Sequence, residues 1–375
     1  MNAKLFLSMA VVSLLAACSG GDGSANSSAG SQNTGSSKAA VDLNALTLAE
    51  LTAKAQAEGE VQSVGMPDTW ANWGETWQAL TGKYGLKHGD TDMSSAEELA
   101  LFEAEKDAPT KDIGDVGQSF GPVAVQKDLV LGYKTSYWDE IPAWAKGEDG
   151  KWIIAYYGTM SFLINDKKVS NPPKSFADLL NGTYKVTVGD VNAATQAQNA
   201  VLSAALANGG SEANLAPGLQ FFAQLAKQGR LDLGDTTLAR IEKGETEVIL
   251  LWDFNALNYS ETVQKANPNT RFTVVIPSDG AIQSGYATVI NKYAPHPHAA
   301  ALTREFILSD EGQINLAKGF AKPIRKVTLP EEVKSRLLPD EQYVNARPIQ
   351  DFAAWESSAK KLGAQWQEEV LSEIK

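Results

Sequence analysis

Four carboxylates stand where strands are expected to end: Asp68, Asp115, Asp190 and Asp253. The first is followed by Thr69 and Trp70, and the second by Gln118. Asn192 and Gln196 follow the third at a helix start. Trp252 precedes the fourth, with Asn255 and Tyr259 after it. None of these loops holds Lys or Arg. A phosphate or dicarboxylate site normally recruits Arg. Carboxylates beside Trp and Tyr instead suit an amine or quaternary ammonium, through ion pairing and cation–π contact. Thr159 and Tyr286, each just past a glycine in a β-rich run, join the candidate binding set. Ordinary roles compete at several positions. Asp68 and Asn192 each fit a helix N-cap. The helix start at Asp190–Gln196 offers free amides that suit an anion.

Other chemistries are weaker in this chain. Gly117-Gln-Ser119-Phe-Gly121 fits the G-x-S-x-G nucleophile elbow, and Asp190 or Asp253 with His296 completes the order Ser, Asp, His. Against a hydrolase, Pro122 follows at once and no His-Gly-Gly oxyanion segment lies upstream. The pattern is also undemanding in a chain with 31 glycines. His88, His296 and His298 form no recognisable metal spacing. No catalytic residue, resident metal or cofactor is therefore expected.

These residues need a frame to hold them. Leu46–Gly59 reads as an amphipathic helix, 60–65 as a strand, and Asp68 as the opening of a helix through Leu80, with Trp73 and Trp77 on its core face. Ser94 to Glu97 is a capping box that starts a helix to about 106. Strands are expected at 113–116, 152–165, 184–188, 247–252, 272–276 and 286–291, and helices after Ser175, from about 191 to 206, at 221–228 and from 299 onward. Strands alternating with helices indicate an α/β fold with mainly parallel sheets. In such sheets ligands sit outside the carboxyl ends of the strands.

Composition sets outer bounds. The chain has 375 residues, with 43% hydrophobic and 21% charged residues and a formal charge of −12, which disfavours nucleic acid. The single cysteine, Cys18, ends Leu14-Leu15-Ala16-Ala17-Cys18, after a short apolar run with Lys4 ahead of it. A charged n-region, an apolar h-region and small residues at the cut read as a secretory signal over residues 1–17. The cysteine at the cut resembles the bacterial lipobox, in which it is lipidated. Residues 18–40, rich in Ser, Gly, Asn and Gln, then read as the lipidated residue and a disordered tether.

Four segments in order resemble bacterial periplasmic solute-binding proteins of ABC importers, of the iron(III)/polyamine/thiamine type. They are Ser175-Phe-Ala-Asp-Leu-Leu with Tyr184-Lys-Val, Ile290-Asn-Lys-Tyr-Ala-Pro-His-Pro-His-Ala-Ala, Phe306-Ile-Leu-Ser-Asp-Glu-Gly-Gln, and Lys322-Pro-Ile-Arg325. The resemblance spans about 59–330. It implies a type II two-lobed fold joined by two crossing hinge strands, with lobe one at 41–158 plus 286–375 and lobe two at 159–285. Gly158 and Gly285 are the expected hinges. It also implies a small-molecule solute, ABC permease subunits as partners, and a periplasmic or cell-surface, lipid-anchored location. Iron(III) is disfavoured, because adjacent Tyr156 and Tyr157 on one strand point to opposite faces. An organophosphate or phosphonate solute is the further alternative within this fold. The charge of the loops favours a cationic organic solute such as a polyamine.

Overall fold

The computed structural model describes residues 41–374. Cys18, the signal and the tether lie outside the described residues. Helices α1 (Leu48–Glu58), α2 (Trp73–Tyr84), α3 (Ser95–Ala104) and α4 (Phe120–Gln126) alternate with strands β1 (Glu60–Val64), β2 (Lys87–Thr91) and β3 (Ile113–Gly117). After β4 (Val130–Leu131) comes the longest strand, β5 (Trp152–Asn165). There follow α5 (Phe176–Asn181), β6 (Val186–Thr187), α6 (Thr195–Ala207), α7 (Ala216–Lys227), β7 (Leu231–Asp232), α8 (Leu238–Glu242), β8 (Val248–Trp252), α9 (Asp253–Ala266) and β9 (Phe272–Val275). Strand β10 (Ile282–Asn291) leads to α10 (Pro297–Ile307), α11 (Asp310–Lys318), β11 (Lys322–Pro323), α12 (Glu331–Lys334), β12 (Arg347–Pro348) and α13 (Phe352–Glu369).

The strands form one curled sheet whose main path runs β2-β1-β3-β10-β5-β8-β6-β7. Parallel pairing is found at its two ends, β2-β1-β3 and β8-β6-β7. The expected parallel sheets are therefore those of the two lobes. The strands between them pair antiparallel, so the whole is mixed. Strand β5 crosses from one end to the other. Its residues Trp152–Thr159 pair with β10, and Met160–Ile164 pair with β8. The change of partner falls between Thr159 and Met160, one residue past Gly158. A Cβ on Gly158 would stand 2.7 Å from the Phe254 ring, so the glycine lets α9 pack against the crossing strand.

Apolar burial holds the frame. Trp73, Tyr156, Phe162, Phe176, Phe222, Trp252 and Phe254 are fully buried in one cluster that reaches both ends of the sheet. Such side chains contribute roughly 1.5–3 kcal/mol each on burial. Helix α6 has no exposed face over Thr195–Ala205, which are all buried, its polar Gln196, Gln198, Asn199 and Ser203 included; it packs against the sheet and α7.

One expectation needs correcting. The stretch 286–375 was expected to finish on lobe one, but α13 packs on α7, in the stretch assigned to lobe two. Trp366 meets Phe222 edge-on at 5.2 Å, and just beyond α13 Glu373 pairs with Lys227 at 3.2 Å. The buried stripe Trp355, Leu362 and Trp366 is what α13 puts under cover. Among the described residues no helix is long and apolar enough to cross a membrane.

Candidate functional site

Strand β1 ends in a tight turn before α2. Ala71 and Asn72 both adopt positive φ, 47° and 61°. This is costly for Ala, about 1–2 kcal/mol, and easier for Asn. The turn delays α2 to Trp73 rather than the expected Asp68, and it leaves Trp70 off the helix. The Trp70 indole N–H donates to the Tyr156 hydroxyl at 2.6 Å, and Tyr156 donates to Asp115 Oδ2 at 2.6 Å. Asp115 lies near the end of β3. Glu98 reaches back from α3, and its Oε2 accepts the Asp115 amide at 3.0 Å.

Across the cavity, α6 opens at Ala194, which has no side chain able to cap the helix. Gln196 Oε1 accepts the Trp252 amide and the Asn255 side-chain N–H, both at 3.0 Å. Its Nε2 donates to Thr236 Oγ1 at 3.3 Å. The two sides meet where Thr195 Oγ1 lies 3.3 Å from Ser95 Oγ. Gly117 makes this possible, since a Cβ there would collide with the Thr195 side chain. Asn258 Nδ2 donates to the Thr69 carbonyl at 2.7 Å and makes a second bridge.

Together these elements enclose a cavity of about 520 Å³, a normal size for a small organic ligand. Trp70, Tyr259 and Tyr286 supply its aromatic wall. Ser94, Ser95, Thr195, Thr236 and Thr237 supply hydroxyls. Its carboxylic acids are Asp92, Glu97, Glu98, Asp115, Asp190 and Asp235, and among the described residues no Lys, Arg or His lines it. Burial pushes Asp115 up to about 8, against the hydrogen bond from Tyr156 that lowers it. Burial, then the nearby Asp115, holds Glu98 well above the usual carboxylate range. Asp92 is raised by burial and by Asp90 and Glu97. Burial pushes the Tyr259 hydroxyl up to about 12. An arrangement of this kind attracts positive charge and resists holding its own negative charge.

The family model for bacterial extracellular solute-binding proteins matches residues 108–347. The chain belongs to this family. Solute-binding proteins of this kind are extracytoplasmic, bind small molecules and work with ABC permeases. Solved two-lobed periplasmic binding proteins share the fold. AfuA from Actinobacillus pleuropneumoniae, with exogenous fructose-6-phosphate bound, is 18% identical with a TM-score of 0.67, covering 83% of this chain and 98% of its own. Iron-bound HitA from Pseudomonas aeruginosa is 17% identical with a TM-score of 0.64, covering 82% of this chain and 99% of its own. A periplasmic thiamin binding protein is 15% identical with a TM-score of 0.66, covering 83% and 96%. No curated protein matches the sequence.

In this solute-binding protein the expected binding residues divide into two groups. Trp70, Asp115, Asp190, Gln196, Tyr259 and Tyr286 come together on the cavity. Asp68 and Thr69 instead line a second, polar cleft of about 490 Å³ beside Asn258 and Arg336. Gln118 is buried and accepts the Ser284 hydroxyl at 3.3 Å. Thr159 is buried in the crossing strand. Asn192 is exposed and its amide binds the Asp190 carboxylate at 2.8 Å, so it builds a turn. Trp252 and Asn255 stand behind Gln196 rather than on the cavity.

Asp253 departs furthest from expectation. It is the first residue of α9, not a loop residue, and its carboxylate turns to nearby donors. Oδ1 accepts the amides of Thr159 at 2.8 Å and Phe254 at 3.0 Å, and Oδ2 accepts the Tyr343 hydroxyl at 2.8 Å. A carboxylate at a helix N-terminus is favoured by the free amides there. Asp253 therefore joins α9, the crossing strand and the C-terminal segment.

Asp92, Ser94, Ser95, Glu97, Glu98, Thr195, Asp235, Thr236 and Thr237 were not anticipated. Asp92–Ser95 follow β2, whose Lys-His-Gly-Asp-Thr has no apolar alternation. Asp235–Thr237 follow β7, which is two residues long. The capping box at Ser94 and Glu97 is present, but nothing in its pattern says that α3 begins at a cavity. Tyr156 and Tyr157 do face opposite ways: Tyr156 binds Asp115, and Tyr157 lines a separate cleft with Trp144 and Pro323. Ser119 Oγ is buried without a hydrogen-bond partner, and His296 pairs with Asp112 and Glu60.

Proposed function

We propose that this protein captures a small cationic organic solute, of the polyamine class, in the cavity between its lobes and delivers it to an ABC permease. One observation carries this reading: among the described residues, six carboxyl groups and no basic side chain line the cavity. A cleft of one sign concentrates ligands of the opposite sign, and the Trp and Tyr wall adds cation–π attraction. The ligands of the fold relatives, fructose-6-phosphate, iron and thiamin, differ in charge, so the lining and not the fold selects the solute. The lobes are residues 41–158 and 159–285, with the chain after 286 returning to the first and α13 lying on the second, and closure turns about Gly158 and Gly285. A lipid on Cys18 holds the protein at the membrane, as the run Leu14–Cys18 indicates. The protein acts as a receptor and not as a Ser119 hydrolase. A fluorophosphonate probe that labels Ser119 would reverse this point.

The test is a thermal-shift panel of putrescine, spermidine, agmatine and choline against succinate, citrate and fructose-6-phosphate. At 100-fold above its dissociation constant a true ligand adds about 2.7 kcal/mol of stability. Amines should raise the melting temperature and the anions should not. The opposite reading has its own support: α6 begins without a side-chain cap, and the amides of Thr195–Ala197 are an anion site in waiting. Stabilisation by the anions alone would establish that reading and end the cationic one.

A further inference from the structure

The six carboxyl groups that line the cavity are not equivalent. Asp92, Glu97, Asp190 and Asp235 are exposed, whereas Glu98 and Asp115 are buried, at 1% and 2% exposure. Asp115 is already engaged: its Oδ2 accepts the Tyr156 hydroxyl, and the Trp73 indole N–H stands beside its covered Oδ1. Glu98 is not. Its Oε2 accepts the Asp115 amide at 3.0 Å, and among the described residues nothing donates to its Oε1. That oxygen lies against Gly65, which itself lines the cavity, and it is not among the fully covered polar atoms. Two glycines keep the place free for the carboxyl. A Cβ on Gly65 would strike Oε1, and one on Gly114 would stand 2.6 Å from Oε2. Gly65 has a φ of 69°, a region that glycine enters without strain. The carboxyl therefore occupies a slot between the end of β1 and β3. The charged groups nearest to it are Asp115, Asp90 and Asp92, so no basic side chain answers it. A buried acceptor left without a partner calls for a donor from outside the fold.

We propose that Glu98 is the specificity-determining residue of the cavity: its Oε1 receives the cationic head of the solute, and the four exposed acids only steer that head inward. The inference rests on the cationic reading above and assigns it to one carboxyl. Exposed charges are screened by water and salt and add little to affinity. A charge in a covered slot is screened far less, and a solute that meets it supplies the countercharge the fold lacks.

The experiment is titration calorimetry of the full chain with putrescine, on the wild type, on Glu98→Gln and on the double variant Asp92→Asn with Asp235→Asn. Melting temperatures without ligand accompany it. Glutamine keeps the shape: its carbonyl can still accept the Asp115 amide, while its NH2 replaces the free acceptor with a donor. Glu98→Gln should weaken putrescine on the order of 100-fold. Its melting temperature without ligand should stay level or rise, because a buried carboxyl without a countercharge has gone. The double variant should lose less than about tenfold, most of it at low salt. Putrescine affinity that survives Glu98→Gln within about threefold overturns the inference and leaves the cationic reading standing. So does a double variant that loses as much as Glu98→Gln, or a Glu98→Gln protein that loses affinity and stability together, since that marks a structural role. If putrescine does not bind the wild type, the cationic reading falls and takes this inference with it. Should Glu98→Gln fail to fold, the wild type decides: affinity that falls less than about tenfold from low salt to about 1 M supports a covered partner, and a steeper fall overturns it.

Discussion

Replacing Asp253 separates a structural clamp from a ligand contact. Its carboxylate is 1% exposed and holds three donors: the amides of Thr159 and Phe254 and the Tyr343 hydroxyl. Asp253→Ala leaves both buried amides without a partner. Each orphaned donor costs about 1–3 kcal/mol. Part of this is offset, because burial already raises the Asp253 pKa and the variant no longer buries that carboxyl. A net loss of about 3 kcal/mol is expected on balance. Asp253→Asn keeps an oxygen for the amides and disturbs only the Tyr343 contact, a loss of about 1 kcal/mol. Tyr343→Phe should cost about the same alone and almost nothing on top of Asp253→Ala, since the pair forms one network. Urea unfolding compares all four variants with the wild type, and calorimetry with putrescine reads the cavity. Asp253→Asn should leave affinity within about twofold, because the residue does not line the cavity. A tenfold loss of affinity with unchanged unfolding would refute the clamp and return Asp253 to the binding site.

Three other outcomes follow. Gly117→Val places a side chain where Thr195 lies on closure, so ligand-induced compaction in small-angle scattering should vanish; unchanged compaction would show that the lobes close elsewhere. Cys18→Ala should release the protein from membranes, and an unmodified Cys18 in the mass spectrum of the membrane-bound wild type would contradict the anchor. His88 stacks on Trp77 at 3.6 Å, and burial, followed by Lys111, lowers its pKa to about 4. The folded protein keeps His88 neutral while the unfolded chain protonates near 6.5, so stability is lost as pH falls from 6.5 towards 4. His88→Phe keeps the ring stack and should remove that part of the acid slope; an identical slope in both proteins would mean that His88 titrates normally.

The crossing strand was legible residue for residue. Trp152 to Asn165 is a long run rich in β-formers, interrupted only by a glycine, and it forms a strand over the same span. Capping signals were equally direct: Ser94 and Ser175 each open a helix. These features depend on neighbours within a few residues, which the sequence displays. The helix at Asp253–Ala266 was read only as a loop, although it contains neither Gly nor Pro. The continuous apolar run Val248–Trp252 drew attention to the strand before it, and the carboxylate was then taken as free.

By itself the sequence determined the α/β class and an acidic, aromatic character in the loops that follow strands. Those properties are local or additive, so no knowledge of packing is needed to read them. The tertiary structure decided which of the acids face one another. Asp115 and Asp253 look alike in sequence, each at the end of an apolar strand. Packing put one in the wall of a cavity beneath the Tyr156 hydroxyl, and turned the other onto two amides and a tyrosine. The chain elements that determine this, β2, β7 and the C-terminal segment with Tyr343, are short, polar or remote in sequence. Their places follow from what they pack against and not from their own pattern.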